Sequence, residues 1–249
     1  MLKRPLIIAR KEVRDHLRDR RSLISSFFYA LMGPLVVGMV SLAIPTSKAS
    51  EVLVSMMSVF ALVAGFVGGM NVAIDSIAGE RERRSLLPLI LNPILRRDIV
   101  VGKWMAIAVF AAAGLAVNVI GFAALLPVVR PLLPAITIVL VPLTLLAAAL
   151  ELLISTWCRN LKEAHTYLSL IAFLPMAAGM FLVFFPHVWP VWYVVPIAGH
   201  QLVIGSIAKG AAMSPALLPA LTIVTLTATC AILATASYLL ERDEIVYGG

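Results

Sequence analysis

The sequence predicts an all-α integral membrane protein: six transmembrane helices, an N-terminal interfacial amphipathic helix and a broken helical hairpin before the last span. Three observations carry that prediction. Several apolar runs are long enough to cross a bilayer, mean hydropathy is +1.00 with only 13% charged residues, and the basic residues crowd onto alternate connections. An ordinary soluble domain carries roughly 25% charged residues. No soluble core of 249 residues hides six apolar stretches, each near the roughly 20 residues a spanning helix needs. The whole chain, 1–249, therefore reads as one transmembrane domain.

Its first element is the segment 1–22. Leu2, Leu6, Ala9, Val13 and Leu17 recur at spacings of three and four, while Lys3, Arg4, Arg10, Lys11, Arg14, Arg18 and Arg21 take the rest of the wheel. Such a helix lies in the membrane interface, apolar face in the acyl boundary and basic face on anionic headgroups. The segment is too long and too charged for a signal-peptide leader, so it is expected to be retained.

Apolar runs follow at 23–44, 52–76, 101–126, 135–157, 164–186 and 216–240. Each is expected to be a helix, where every backbone group is satisfied internally. The N-terminus, the second and fourth connections and the C-terminus contain 8, 6, 2 and 1 basic residues; the other connections hold Lys48, Arg130 and Lys209. With 17 of 20 on one side, both termini are expected in the cytoplasm. The net charge of +7 is thus matched to lipid, and nucleic acid is not an expected partner.

The second connection, a loop over 77–100, is the most informative. Residues 77–103 read IAGERERRSLLPLILNPILRRDIVVGK. Glu80 and Arg84 stand four apart and can pair along a helix. Leu86 to Leu91, interrupted by Pro88 and closed by Asn92-Pro93, is too short to span and predicts a short amphipathic helix on the cytoplasmic face. Arg96 and Arg97 anchor the entry of the third span. Before the last span, residues 187–215 are mostly apolar yet broken by Pro190, Pro196, Gly199, Gly205 and Gly210. That pattern predicts two short half-helices re-entering the outer leaflet, with Trp189, Trp192 and Tyr193 at the interface.

Little in the chain points to enzymatic chemistry. GSIAKG at 205–210 lacks the spacing of a phosphate loop, and HExxH, CxxC and GxSxG do not occur. Cys158 and Cys230 read as packing residues, and His165, His187 and His200 are too scattered for a metal site. Of the acids, Glu151 lies inside a span and Asp75 near the cytoplasmic end of another. With Asn71 and Asn118 they form a candidate cation path; the alternative, favoured by their shallow position, is pairing with Arg159, Arg81 or a neighbouring helix. Gly65 and Gly69 form GxxxG with Gly68 beside them, which permits close helix approach.

GERERRSLLPLILNP followed by RRDIVVGK resembles the cytoplasmic loop of type-2 ATP-binding-cassette export permeases, especially the sodium-extruding Nat-type. VVPIAGHQLVIGSIAKG is similar to that family's proline-containing stretch. The resemblance implies a coupling helix seated in a separate ATPase subunit, through Gly79, Glu80, Arg81, Glu82, Arg83, Arg84, Leu87 and Leu91. Relatives often carry an acid at the position of Leu87. It further implies no cofactor on this chain, with ATP and Mg bound by the partner; a dimer of identical or related permeases, with two ATPases, in a bacterial or archaeal cell membrane; and export of sodium, a drug or peptide, or a lipid-linked glycan. The alternative is a non-transporting membrane subunit of an ABC-like machine for envelope assembly or cytochrome maturation. An ion-driven carrier would need inverted repeats, and no internal repeat is visible.

Overall fold

A computed structural model describes residues 3–43, 49–91, 94–184, 189–211 and 213–242, and all the regular structure among them is helical. Lys48, the Asn92-Pro93 turn and His187 lie outside the described residues. In chain order the helices are α1 (Lys3–His16), α2 (Arg20–Ala43), α3 (Ala49–Ile74), α4 (Leu86–Leu91), α5 (Arg96–Leu125), α6 (Leu133–Trp157), α7 (Leu161–Ala172), α8 (Leu174–Phe184), α9 (Ala198–Ala208) and α10 (Leu217–Leu239). Among the described residues, six segments are long and apolar enough to cross a membrane: Arg20–Ala43, Val52–Glu82, Arg96–Leu125, Pro127–Trp157, Leu161–Leu182 and Leu217–Leu239. They match the six apolar runs of the sequence.

Three of these spans, α3, α5 and α6, form the centre, and small residues let them approach. A methyl group built on Gly114 would stand 2.7 Å from the Cα of Gly68, and one on Gly68 would stand 3.0 Å from the Phe110 carbonyl. The backbones of α3 and α5 therefore touch at this crossing, as small-residue interfaces in lipid allow. Gly65 faces Thr144 of α6 more loosely, at 3.3 Å. One apolar cluster, with Phe66, Leu115, Phe122 and Leu140, fills the bundle around the crossing, and a second, with Ile77, Ile99, Ile107 and Leu152, fills the end where the basic residues gather.

Helix α1 lies across that end and has three faces rather than two. Pro5, Ala9, Glu12 and His16 are buried against α5, where a methyl on Gly102 would stand 2.8 Å from the Pro5 carbonyl. Leu6 and Leu17 remain exposed, as do Lys3, Arg4, Arg10, Lys11, Arg14 and Arg18. The apolar stripe of the sequence is thus divided, Ala9 packing inward and Leu6 outward. Asp19 separates α1 from α2 by accepting hydrogen bonds from the backbone N–H of Arg21 at 3.2 Å and Ser22 at 3.4 Å, so the first span begins at Arg20.

Two elements depart from the expectation. The fifth span is broken at Phe173, because Pro175 has no N–H to continue the ladder and suits only a helix's first turn. Among the described residues of the hairpin before the last span there is one α-helix, α9. The hairpin's first half is a 3-10 turn, Pro190–Val194, and a tight γ-turn follows, in which the Ala198 N–H donates to the Pro196 carbonyl at 2.9 Å. Ile197 there has φ 70, rare for a β-branched residue. Prolines 190 and 196 withhold the donors a second helix would need.

Candidate functional site

The connection between the second and third spans starts inside α3. A π-helical turn, Asp75–Gly79, extends the helix and leads through Glu80–Glu82 to a sharp bend at Arg84, whose φ is 57. Such turns leave backbone groups to be satisfied by neighbours. The hydroxyl of Ser155 on α6 accepts from the N–H of Ile77 at 3.3 Å and of Ala78 at 3.2 Å. Beyond the bend, α4 buries Leu86 and exposes Leu91, which is 73% accessible.

The charged run Glu80 to Arg83 makes a set of internal ties. Glu80 turns inward: its Oε1 is 2.9 Å from the Nζ of Lys103, which is fully buried near the start of α5. Lys103 also donates to Glu12 Oε1 of α1 at 3.1 Å and to the Ser76 carbonyl at 3.0 Å. One ammonium thus binds α1, α5 and the segment 75–82 together, with each of its three protons directed at an acceptor. The i,i+4 pairing of Glu80 with Arg84 does not form, because the helix ends before Arg84 and Lys103 takes the carboxylate.

Arg81 and Glu82 grip the joint between the fourth and fifth spans. Arg81 donates through Nη2 to the Thr156 carbonyl at 2.9 Å and through Nη1 to the Cys158 carbonyl. These are end carbonyls of α6, which lack intrahelical partners and favour a cation. Glu82 Oε2 accepts from the Leu161 N–H at 2.7 Å, at the first turn of α7. That turn also has a reciprocal cap: Asn160 Oδ1 accepts from the Glu163 N–H at 2.8 Å, and Glu163 Oε2 from the Arg159 N–H at 2.8 Å. Cys158, enclosed by this joint, is 1% exposed, and burial pushes its thiol up to about 11. Arg83 closes the set with Nη1 2.5 Å from Asp75 Oδ1, and that hydrogen bond holds the guanidinium pKa above its usual value. Gly79 packs against the same carboxylate, with room for no side chain: a methyl would lie 3.2 Å from Leu161 Cδ2.

Glu82, Arg83, Arg84 and Leu91 of the predicted set are exposed, the first two while making the ties above, and the side chain of Leu87 lies outside the described part of α4. The four residues of the candidate cation path are not joined by hydrogen bonds to one another. Asn71 ties α3 to α2, donating to Ser25 Oγ at 3.0 Å and Ser26 Oγ at 2.9 Å. Asn118 ties α5 to α2 through the Ala30 carbonyl at 2.8 Å, and Asp75 is taken by Arg83. Glu151 is 2% exposed, roughly 9 Å along α6 from its end at the 1.5 Å helical rise. Its expected partner, Arg159 or Arg81, does not reach it: among the described residues it forms no ion pair, and its Oε2 has no hydrogen-bond partner. That oxygen lies 2.8 Å from where a Gly69 methyl would be, so Gly69 makes the space it occupies.

Residues 6–245 match the ABC-2 family of transporter proteins, almost the whole chain. The chain belongs to that family. It is also 33% identical over 129 residues to the ABC transporter permease protein NatB of Bacillus subtilis (strain 168), an alignment covering 46% of this chain and 33% of that protein. The chain therefore spans about a third of the length of the curated relative it matches. This is a type-2 ABC permease, Nat-like and embedded in the membrane. The residues that the sequence reading missed are those on the receiving side of the ties: Glu12, Lys103, Ser155 and the Thr156 and Cys158 carbonyls.

Proposed function

We propose that the chain is the membrane half of an ATP-driven exporter, working as a dimer with an identical or related permease and two ATPase subunits that bind ATP and Mg. The observation that carries this reading is the set of ties at Glu80, Arg81, Glu82 and Arg83. They join the coupling segment to α1, to α5 and to the joint between α6 and α7, so a push on the segment moves four elements together. Arg84 and the exposed Leu91 are the surface that meets the ATPase, and both termini lie on that, cytoplasmic, side of a bacterial or archaeal membrane. The 17 of 20 basic residues on this side support the orientation.

For the substrate, the unpaired Glu151 favours a sodium-type cation over a drug, peptide or lipid-linked glycan. An intramembrane acid without a structural partner is a functional group by default. The permease reconstituted with an ABC ATPase that binds it should show sodium-stimulated hydrolysis that Glu151→Gln abolishes. Stimulation unchanged in that variant would remove the cation reading, and absence of any ATPase binding would remove the exporter reading.

A further inference from the structure

Glu12 stands on the protein-facing side of α1, while the opposite side presents Lys3, Arg4, Arg10, Arg14 and Arg18 to the surroundings. Lys11 lies between the two faces, 3.8 Å from Glu12 and 3.9 Å from Asp15. The exposed cationic face complements anionic phospholipid headgroups, which attract basic residues near the membrane surface. The buried face ends on Lys103, whose Nζ holds Glu12 and Glu80 at once, 3.1 and 2.9 Å away. Four residues beyond Glu80 the chain bends outward at Arg84.

We propose that Lys103 is a positioning residue that transmits the seat of α1 on anionic lipid to the coupling segment, so that ATPase coupling responds to membrane surface charge. The inference rests on the exporter reading for its activity arm and on the structure alone for its geometry. Anionic lipid draws the basic face of α1 onto the membrane. Through Glu12, Lys103 and Glu80 that position fixes the exit angle of residues 80–85, and with it the reach of Arg84 and Leu91 toward the ATPase. Loss of the ammonium leaves two enclosed carboxylates facing one another, which drives the two elements apart.

Two measurements test this. In the permease alone, with Cys230→Ser, spin labels at Arg14→Cys and Leu91→Cys report the distance between α1 and α4 in nanodiscs. The native lysine should give one narrow distance in phosphatidylcholine with phosphatidylglycerol, and Lys103→Met a broad distribution. A narrow distribution in Lys103→Met overturns the proposal. In the complex without labels, hydrolysis should rise several-fold when phosphatidylglycerol is added to phosphatidylcholine discs. That rise should vanish in the combined variant Lys103→Met, Glu12→Gln and Glu80→Gln, which removes the buried charges together and so keeps the fold. A lipid response as large in the combined variant as in the native chain, or none in the native chain, overturns the proposal. Failure of any ATPase to join the native permease would instead refute the exporter reading and leave the distance measurement to decide the role of Lys103.

Discussion

Replacing Arg81 with alanine should open the joint between the fourth and fifth spans. The guanidinium donates to the carbonyls of Thr156 and Cys158 at the end of α6, and a charge-assisted hydrogen bond contributes about 1.5–3 kcal/mol. Two such bonds bound the effect from above. Against them stands the cost of half-burying the guanidinium, whose Nε finds no partner, so a net loss of about 2–3 kcal/mol is expected. At about 1.4 kcal/mol per factor of ten, the open fraction of the joint rises roughly 30- to 150-fold. Cys158 is the built-in reporter: it is 1% exposed, and its thiol is pushed up to about 11. In a Cys230→Ser background, maleimide should label Cys158 slowly at neutral pH. Arg81→Ala should speed labelling by one to two orders of magnitude, while circular dichroism stays helical. Equal labelling rates in a folded Arg81→Ala protein would refute the idea that the guanidinium holds the joint closed.

Two further outcomes follow from packing and protonation. Gly114→Leu should destabilise the bundle by about 1–3 kcal/mol or more, because the new side chain meets the Gly68 backbone, whereas Gly65→Ala, facing a single Thr144 side chain, should cost under about 1 kcal/mol; detergent thermal unfolding of the two variants measures the difference. His200 is 1% exposed and burial lowers its pKa to about 4, below its unfolded 6.5. Its protonation therefore favours the unfolded chain, so stability should be flat above neutral pH and fall by about 2 kcal/mol from pH 7.5 to pH 5. His200→Gln should remove that part of the pH dependence.

The spans were legible because lipid demands runs of uninterrupted apolar residues, and that demand is written locally. The helix α1 and the short helix Leu86–Leu91 were legible for the same reason, through spacing and proline. What the periodicity could not convey is direction. Glu80 to Arg83 read as a polar outward face because charges in a connection are ordinarily solvated, yet each finds a partner within the chain, 8 to 79 positions away. Lys103 itself gave a cue: it sits two residues inside an apolar run, where an unpaired ammonium would be costly. Glu12 interrupts a basic helix on the one face that packs against protein. Pairing those two cues would have found the hub. The break at Phe173 was also in view, since Pro175 stands within the fifth run, but lipid-facing helices tolerate proline often enough that the run alone does not declare a break.

The central claim is that the coupling segment is held from behind by its charged run and meets the ATPase through Arg84 and Leu91. Photo-crosslinking amino acids placed singly at Ala78, Glu80, Arg84 and Leu91, in cells that co-express an ABC ATPase able to bind the permease, test it most directly. Adducts with the ATPase are expected at Arg84 and Leu91, and none at the buried Ala78 or at Glu80. Adducts at Glu80 without any at Arg84 and Leu91 would contradict the account.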